Sequence, residues 1–164
     1  MRKVLLIIGA VSILALVLVL ALVTGKILSR SEGPQTTNTS SSSYETQQQK
    51  ITFLQHYVVC PSPVLATEFH IQYWNNSGGG VPGPSEWDIR FAVKVPLQSI
   101  SNWTKDFHPV HPNVINSGWW ADLPLTANIW TRHSVPKYYQ RPDSKTYQVV
   151  YEDEGIIFKR VSTL

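Results

Sequence analysis

Two histidines three positions apart, in His108-Pro109-Val110-His111, stand near Asp106 and Asp122. Imidazole nitrogen with carboxylate oxygen is a donor set that suits zinc or a similar divalent ion. The zinc-hydrolase helix, however, needs two histidines four apart with a glutamate between them, and Pro109 and Pro112 exclude a helix here. Histidines beside prolines in a loop are ordinarily solvated or capping groups, so no metal ligand is expected. An enzyme reading of the chain, a metal-dependent cell-envelope hydrolase, would have to centre on these four residues.

Cys60 is the single cysteine, so no disulfide forms within the chain. A nucleophilic role would need a lowered pKa and a base such as His56, His70 or His133, and no local pattern pairs them. It reads instead as a small apolar residue. Glu152, Asp153 and Glu154 read as a solvated turn. Nothing resembles a Ser-His-Asp arrangement. The stretch Asn75 to Ser85, NNSGGGVPGPS, lacks the lysine and the strand-to-helix setting of a phosphate loop. No catalytic residue and no cofactor is expected.

Aromatic side chains are the one feature with a binding character. Trp119, Trp120, Trp130, Tyr138 and Tyr139 fall in a segment broken by prolines, where they can stack on sugar rings or receive a partner's side chains. These five are the expected ligand- or partner-binding residues. The competing role is to fill the core beneath irregular loops.

What positions such groups begins at the membrane. Val4 to Val23 is twenty apolar residues broken only by Ser12 and Gly9, without a charge, and as a helix it spans roughly 30 Å, the thickness of the hydrocarbon core. The run exceeds a secretory signal's apolar region, and Ala21-Leu22-Val23 is a poor cleavage site, so residues 1–24 are expected to be a signal anchor. A very short basic tail before a single span places the amino terminus in the cytoplasm and the remainder outside. The expected setting is a bacterial inner membrane facing the periplasm or the cell exterior, with the bilayer as partner through residues 4–23.

Charge must be read by segment. The net charge is +3, but residues 1–50 hold five basic residues against two acids, while the remaining 114 carry nine of each. The basicity belongs to the membrane end. A nucleic-acid partner therefore has no electrostatic motive.

Residues 25–50 are rich in Ser, Thr, Gln and Asn, which cannot bury enough apolar surface to offset ordering entropy, and are expected to be a disordered tether. The soluble domain is expected at 51–164. All six tryptophans lie there, and about 114 residues are enough for one core.

Within that domain, Ile51 to Val59 fits either helix or strand. Leu65 to Trp74 alternates, with Leu65, Phe69, Ile71 and Tyr73 on one side and Glu68, His70 and Gln72 on the other. Glu86 to Val95 alternates more cleanly, with Trp87, Ile89, Phe91, Val93 and Val95 opposed to Asp88, Arg90, Ala92 and Lys94. One polar face on each strand implies an antiparallel sheet covered on one side. Pro96 opens an amphipathic helix over Leu97 to about Phe107. Val110 to Arg141 reads as irregular, with about one helical turn between Asp122 and Ile129. Lys145 to Tyr151 and Ile156 to Val161 form a hairpin around Glu152-Asp153-Glu154-Gly155.

The expected fold is α+β: a transmembrane helix, a disordered tether, a small antiparallel sheet with one short helix on it, and a carboxyl-terminal hairpin. The expected function is a membrane-anchored, extracytoplasmic, non-enzymatic binding or accessory module for a protein or an envelope glycan.

Overall fold

In a computed structural model of the chain, described for residues 36–76, 83–115, 118–142 and 144–163, the alternating segments pair as one sheet. The expected membrane anchor, and the tether as far as residue 35, lie outside the described residues. Strands β1 (Thr37–Ser40), β2 (Ala66–Trp74), β3 (Glu86–Lys94), β4 (His108–Pro109), β5 (Lys137–Gln140), β6 (Lys145–Tyr151) and β7 (Ile156–Ser162) are joined in the order β1-β2-β3-β7-β6-β5-β4. Every neighbouring pair is antiparallel. Two short helices, α1 (Gln47–Gln55) and α2 (Ile100–Thr104), complete the α+β domain.

The folded domain begins earlier than composition suggests. Residues 37–50, assigned above to the tether, form β1 and the start of α1. The reason is local. Thr46 is the N-cap of α1: its hydroxyl accepts from the Gln49 backbone N–H at 3.2 Å, and the Gln49 side chain accepts from the Thr46 N–H at 3.0 Å. This capping box satisfies two orphan donors and resolves the ambiguity of Ile51 to Val59 in favour of helix.

The register sets the faces. On the first face, Phe69 and Ile71 of β2, Ile89, Phe91 and Val93 of β3, Val150 of β6 and Ile157 of β7 form one core with Leu54 of α1 and Ile100 and Trp103 of α2. α2 and the 3-10 turn Leu97–Ser99 before it replace the longer helix expected over 97–107. The chain leaves the helix early because His108–Pro109 pairs with Tyr139 and Gln140 as the outermost strand.

The second face is also covered, contrary to the one-sided sheet that alternation implied. Ala66, Ala92, Val149, Ile156 and Phe158 pack there against Ile115, Trp119, Leu123 and Trp130 from the segment between β4 and β5. On this face the charged residues Asp88, Arg90 and Arg160 pair with one another. Asp88 accepts from Arg160 Nε at 2.8 Å and Nη2 at 3.2 Å, and Arg90 bridges Asp88 and Asp122. Within the stretch read as irregular, β5 is a strand, and the expected turn at 122–129 is a 3-10 turn at Asn128–Trp130.

The expected hairpin is β6–β7, and its turn is tightly specified. Gly155 has φ 64°, and a Cβ there would lie 2.4 Å from the Val95 carbonyl oxygen. That approach is used: the Val95 N–H donates to the Gly155 carbonyl at 2.9 Å. Gly155→Ala is therefore expected to cost about 1–2 kcal/mol from the left-handed backbone alone, with the clash in addition. A urea midpoint within error of the parent would show that the turn relaxes freely. Beside it, Glu154 is held in place by hydrogen bonds. Its carboxylate accepts from Ser134 Oγ, from the His133 N–H at 2.6 Å and from the Ser134 N–H at 2.8 Å, and these bonds hold its pKa down to about 2.

Candidate functional site

The five aromatic residues expected at a binding surface divide between the two faces. Trp119 and Trp130 are 8% and 3% exposed and belong to the second-face core, so they fill space rather than meet a ligand. Trp120 and Tyr138 are half-buried against the same core, and the Trp120 ring lies 5.6 Å from Phe158. Tyr139 packs on the opposite face. The set does not converge on one exposed patch. The indole nitrogens of Trp119 and Trp130 are buried without a hydrogen-bond partner.

The His/Asp group does not converge either. His108 and His111 are exposed, and His111 caps the turn at Pro112–Val114. Asp122 is bound to Arg90 at 3.0 Å on the second face, whereas Asp106 follows α2 on the first. Among the described residues no group of three or more His, Cys, Asp or Glu side chains is gathered where a metal could sit.

A concave site does exist, on the first face, where sequence gave no warning. A cavity of about 430 Å³ is bounded by Tyr57, Val58, Val59 and Pro61 after α1, by Asn102, Trp103, Lys105, Asp106 and Phe107 around α2, and by Arg141, Thr146, Lys159 and Val161 from the sheet end. Its size is that of a small-molecule site, and its lining has the usual mixture of apolar wall and a few polar groups. Two contacts hold the α2 wall: Trp103 Nε1 donates to Ser62 Oγ at 2.8 Å, and Gln148 Nε2 donates to the Trp103 carbonyl at 3.1 Å. No known family model, characterised protein or solved structure matches this chain. The site is accordingly read from its own geometry.

Lys159 is its central polar group. In β7 it shares a face with Ile157 and Val161, so its stem lies on the apolar face of the sheet, beside Phe91 of β3 and Gln148 of β6. Its ammonium is 5.0 Å from the centre of the Phe107 ring and 5.7 Å from that of Trp103, a cation–π arrangement. Burial, and then the nearby Arg141 charge, pull its pKa down to about 8, while Cys60 and Asp106 act the other way. The neighbouring Cys60 thiol is pushed up by burial, only partly offset by Lys159, which makes it a poor nucleophile.

The signal for Lys159 was present but silent: a lysine flanked two residues away on each side by Ile157 and Val161 sits on the apolar side of an alternating strand. Lysine on such a face ordinarily snorkels to water. Only the approach of Trp103 and Phe107 from a different element makes it a site. A second hollow of about 340 Å³, between Tyr44 and the Gln48, Thr52 and Phe53 side of α1, is mainly apolar and holds no comparable pair of cations.

Proposed function

We propose that the chain is a membrane-tethered, extracytoplasmic and non-enzymatic binding module that takes a small amphipathic molecule into the first-face cavity. One observation carries the reading: an aromatic-walled hollow of about 430 Å³ whose floor presents the ammonium of Lys159. Such a site offers apolar contact to the body of a ligand and one directional polar anchor. The tether rests on the composition of Val4 to Val23, and it would keep the cavity close to the membrane surface. The hydrolase reading receives no support from the arrangement of Asp106, His108, His111 and Asp122.

The test is ligand-observed NMR on the full-length chain in a nonionic detergent, with a panel of small aromatic and aliphatic compounds. Phe107 is half-buried at the cavity wall, so Phe107→Ala removes contact area while leaving the buried core in place. The expected result is a chemical class that binds the parent and loses about tenfold or more in affinity in the variant, the effect of one lost aromatic contact. A panel in which no compound distinguishes parent from variant rejects the cavity as the binding site.

A further inference from the structure

The cavity holds an electrostatic imbalance. Three cations, Lys105, Arg141 and Lys159, line it against a single carboxylate, Asp106. Among the described residues, no carboxylate lies within ion-pairing distance of Lys159 or Arg141. Their mutual repulsion acts on Lys159 more strongly than the attraction of Asp106 does. Elsewhere the same domain neutralises its part-buried cations with short contacts: Lys50 with Glu68 at 2.6 Å, and Arg160 with Asp88 at 2.8 Å. Two like charges that, among the described residues, have no carboxylate in ion-pairing contact raise the local potential of this concave wall beyond what Asp106 offsets, and favour an anion from outside.

We propose that the cavity is an organic-anion site, in which a carboxylate, sulfonate or phosphate group pairs with Lys159 and Arg141 while the apolar body of the same molecule lies against Trp103, Phe107 and Val58. This inference rests on the cavity reading above and names the ligand class for it. Binding relieves the repulsion between the two cations. Thr146 and Asn102, also in the lining, supply neutral polar groups beside the anion. A neutral ligand of equal shape gains the apolar contact alone.

The experiment is calorimetric titration of the full-length chain in nonionic detergent with 2-naphthoate and with 2-naphthamide, which share an aromatic body and differ in charge. The acid is expected to bind at least about tenfold more tightly than the amide, the scale of one charge-assisted contact. Arg141→Gln, at an exposed position, and Lys159→Met are each expected to bring the ratio towards one. Affinity for the acid is also expected to fall as pH rises through about 8, where Lys159 loses its proton among Arg141, Lys105, Asp106 and Cys60.

Equal affinity for acid and amide, both lowered by Phe107→Ala, overturns the anion class and leaves the cavity reading standing. Absence of binding by either compound, or binding that Phe107→Ala does not change, overturns both. An acid preference that survives both Arg141→Gln and Lys159→Met places the anion elsewhere and defeats the assignment.

Discussion

Asp88→Asn is expected to destabilise the domain by about 3 kcal/mol, at the lower end of the range for removing one partner from a buried ion pair. Asp88 has only 8% of its side chain exposed and sits between two guanidinium groups. Arg90 and Arg160 face each other across the β3–β7 register, and Asp88 is the carboxylate that both of them contact. Asparagine keeps the volume but leaves Arg160 without its carboxylate and Arg90 with the exposed Asp122 alone, the two cations opposed on a largely covered face. The cost stays near the lower end because a third of the Arg160 side chain remains exposed and can turn to water.

Asp122→Asn supplies the contrast. Asp122 makes a 3.0 Å contact with Arg90 as well, but its side chain is 66% exposed, so its loss should cost about 1 kcal/mol or less. Urea denaturation of the three proteins decides the matter. If the Asp88 and Asp122 substitutions lower stability equally, burial is not what makes the Asp88 cluster strong.

That cluster also shows where sequence reading stops. Alternation in β2 and β3 was legible because a period of two is a local property, and Phe69, Ile71, Ile89, Phe91 and Val93 lie inward as expected. The polar side of β3 was legible as polar, yet its destination was not. Asp88 and Arg160 are 72 residues apart, and no local rule distinguishes a solvated aspartate from one held by a distant arginine. The cavity escaped for the same reason, since its walls come from four separated stretches whose meeting is tertiary. β5 was missed because four residues after Pro136 carry too short a pattern to register. The aromatic cluster was legible as large and apolar; whether Trp119 and Trp130 faced inward depended on what they would cover. By contrast, α1 had a local signature in Thr46-x-x-Gln49, and the glutamine-rich composition around it outweighed that signature.

The attachment of that segment to the sheet is itself measurable. Glu68 sits on β2 with 6% of its side chain exposed, and all three of its side-chain partners lie between residues 41 and 50: Ser41 Oγ donates to it, Lys50 Nζ reaches it at 2.6 Å and Gln47 Nε2 at 3.3 Å. Gln47 also accepts from the Thr67 backbone N–H at 2.9 Å, capping the edge of β2 beyond the end of β1. These contacts fasten the segment ahead of Ile51 to the sheet. Glu68→Ala should therefore lose about 3–5 kcal/mol, because Lys50, itself largely buried, is left with its charge and no counter-ion. Lys50→Ala should lose a comparable amount by stranding the carboxylate. Replacing both with apolar residues, Glu68→Leu with Lys50→Met, should recover most of the loss, since an apolar pair does not carry the desolvation penalty that the ion pair must offset. A double-mutant cycle built from Glu68→Leu, Lys50→Met and the two together, read by urea denaturation, isolates that coupling. Should the double variant be less stable than either single one, the pair is not the source of the stability and the fastening lies in Ser41 and Gln47. Should it recover, the pair carries the coupling, and a chain shortened to begin at Ile51, which loses all three described partners of Glu68 together with β1, is expected to lose at least as much stability as Lys50→Ala.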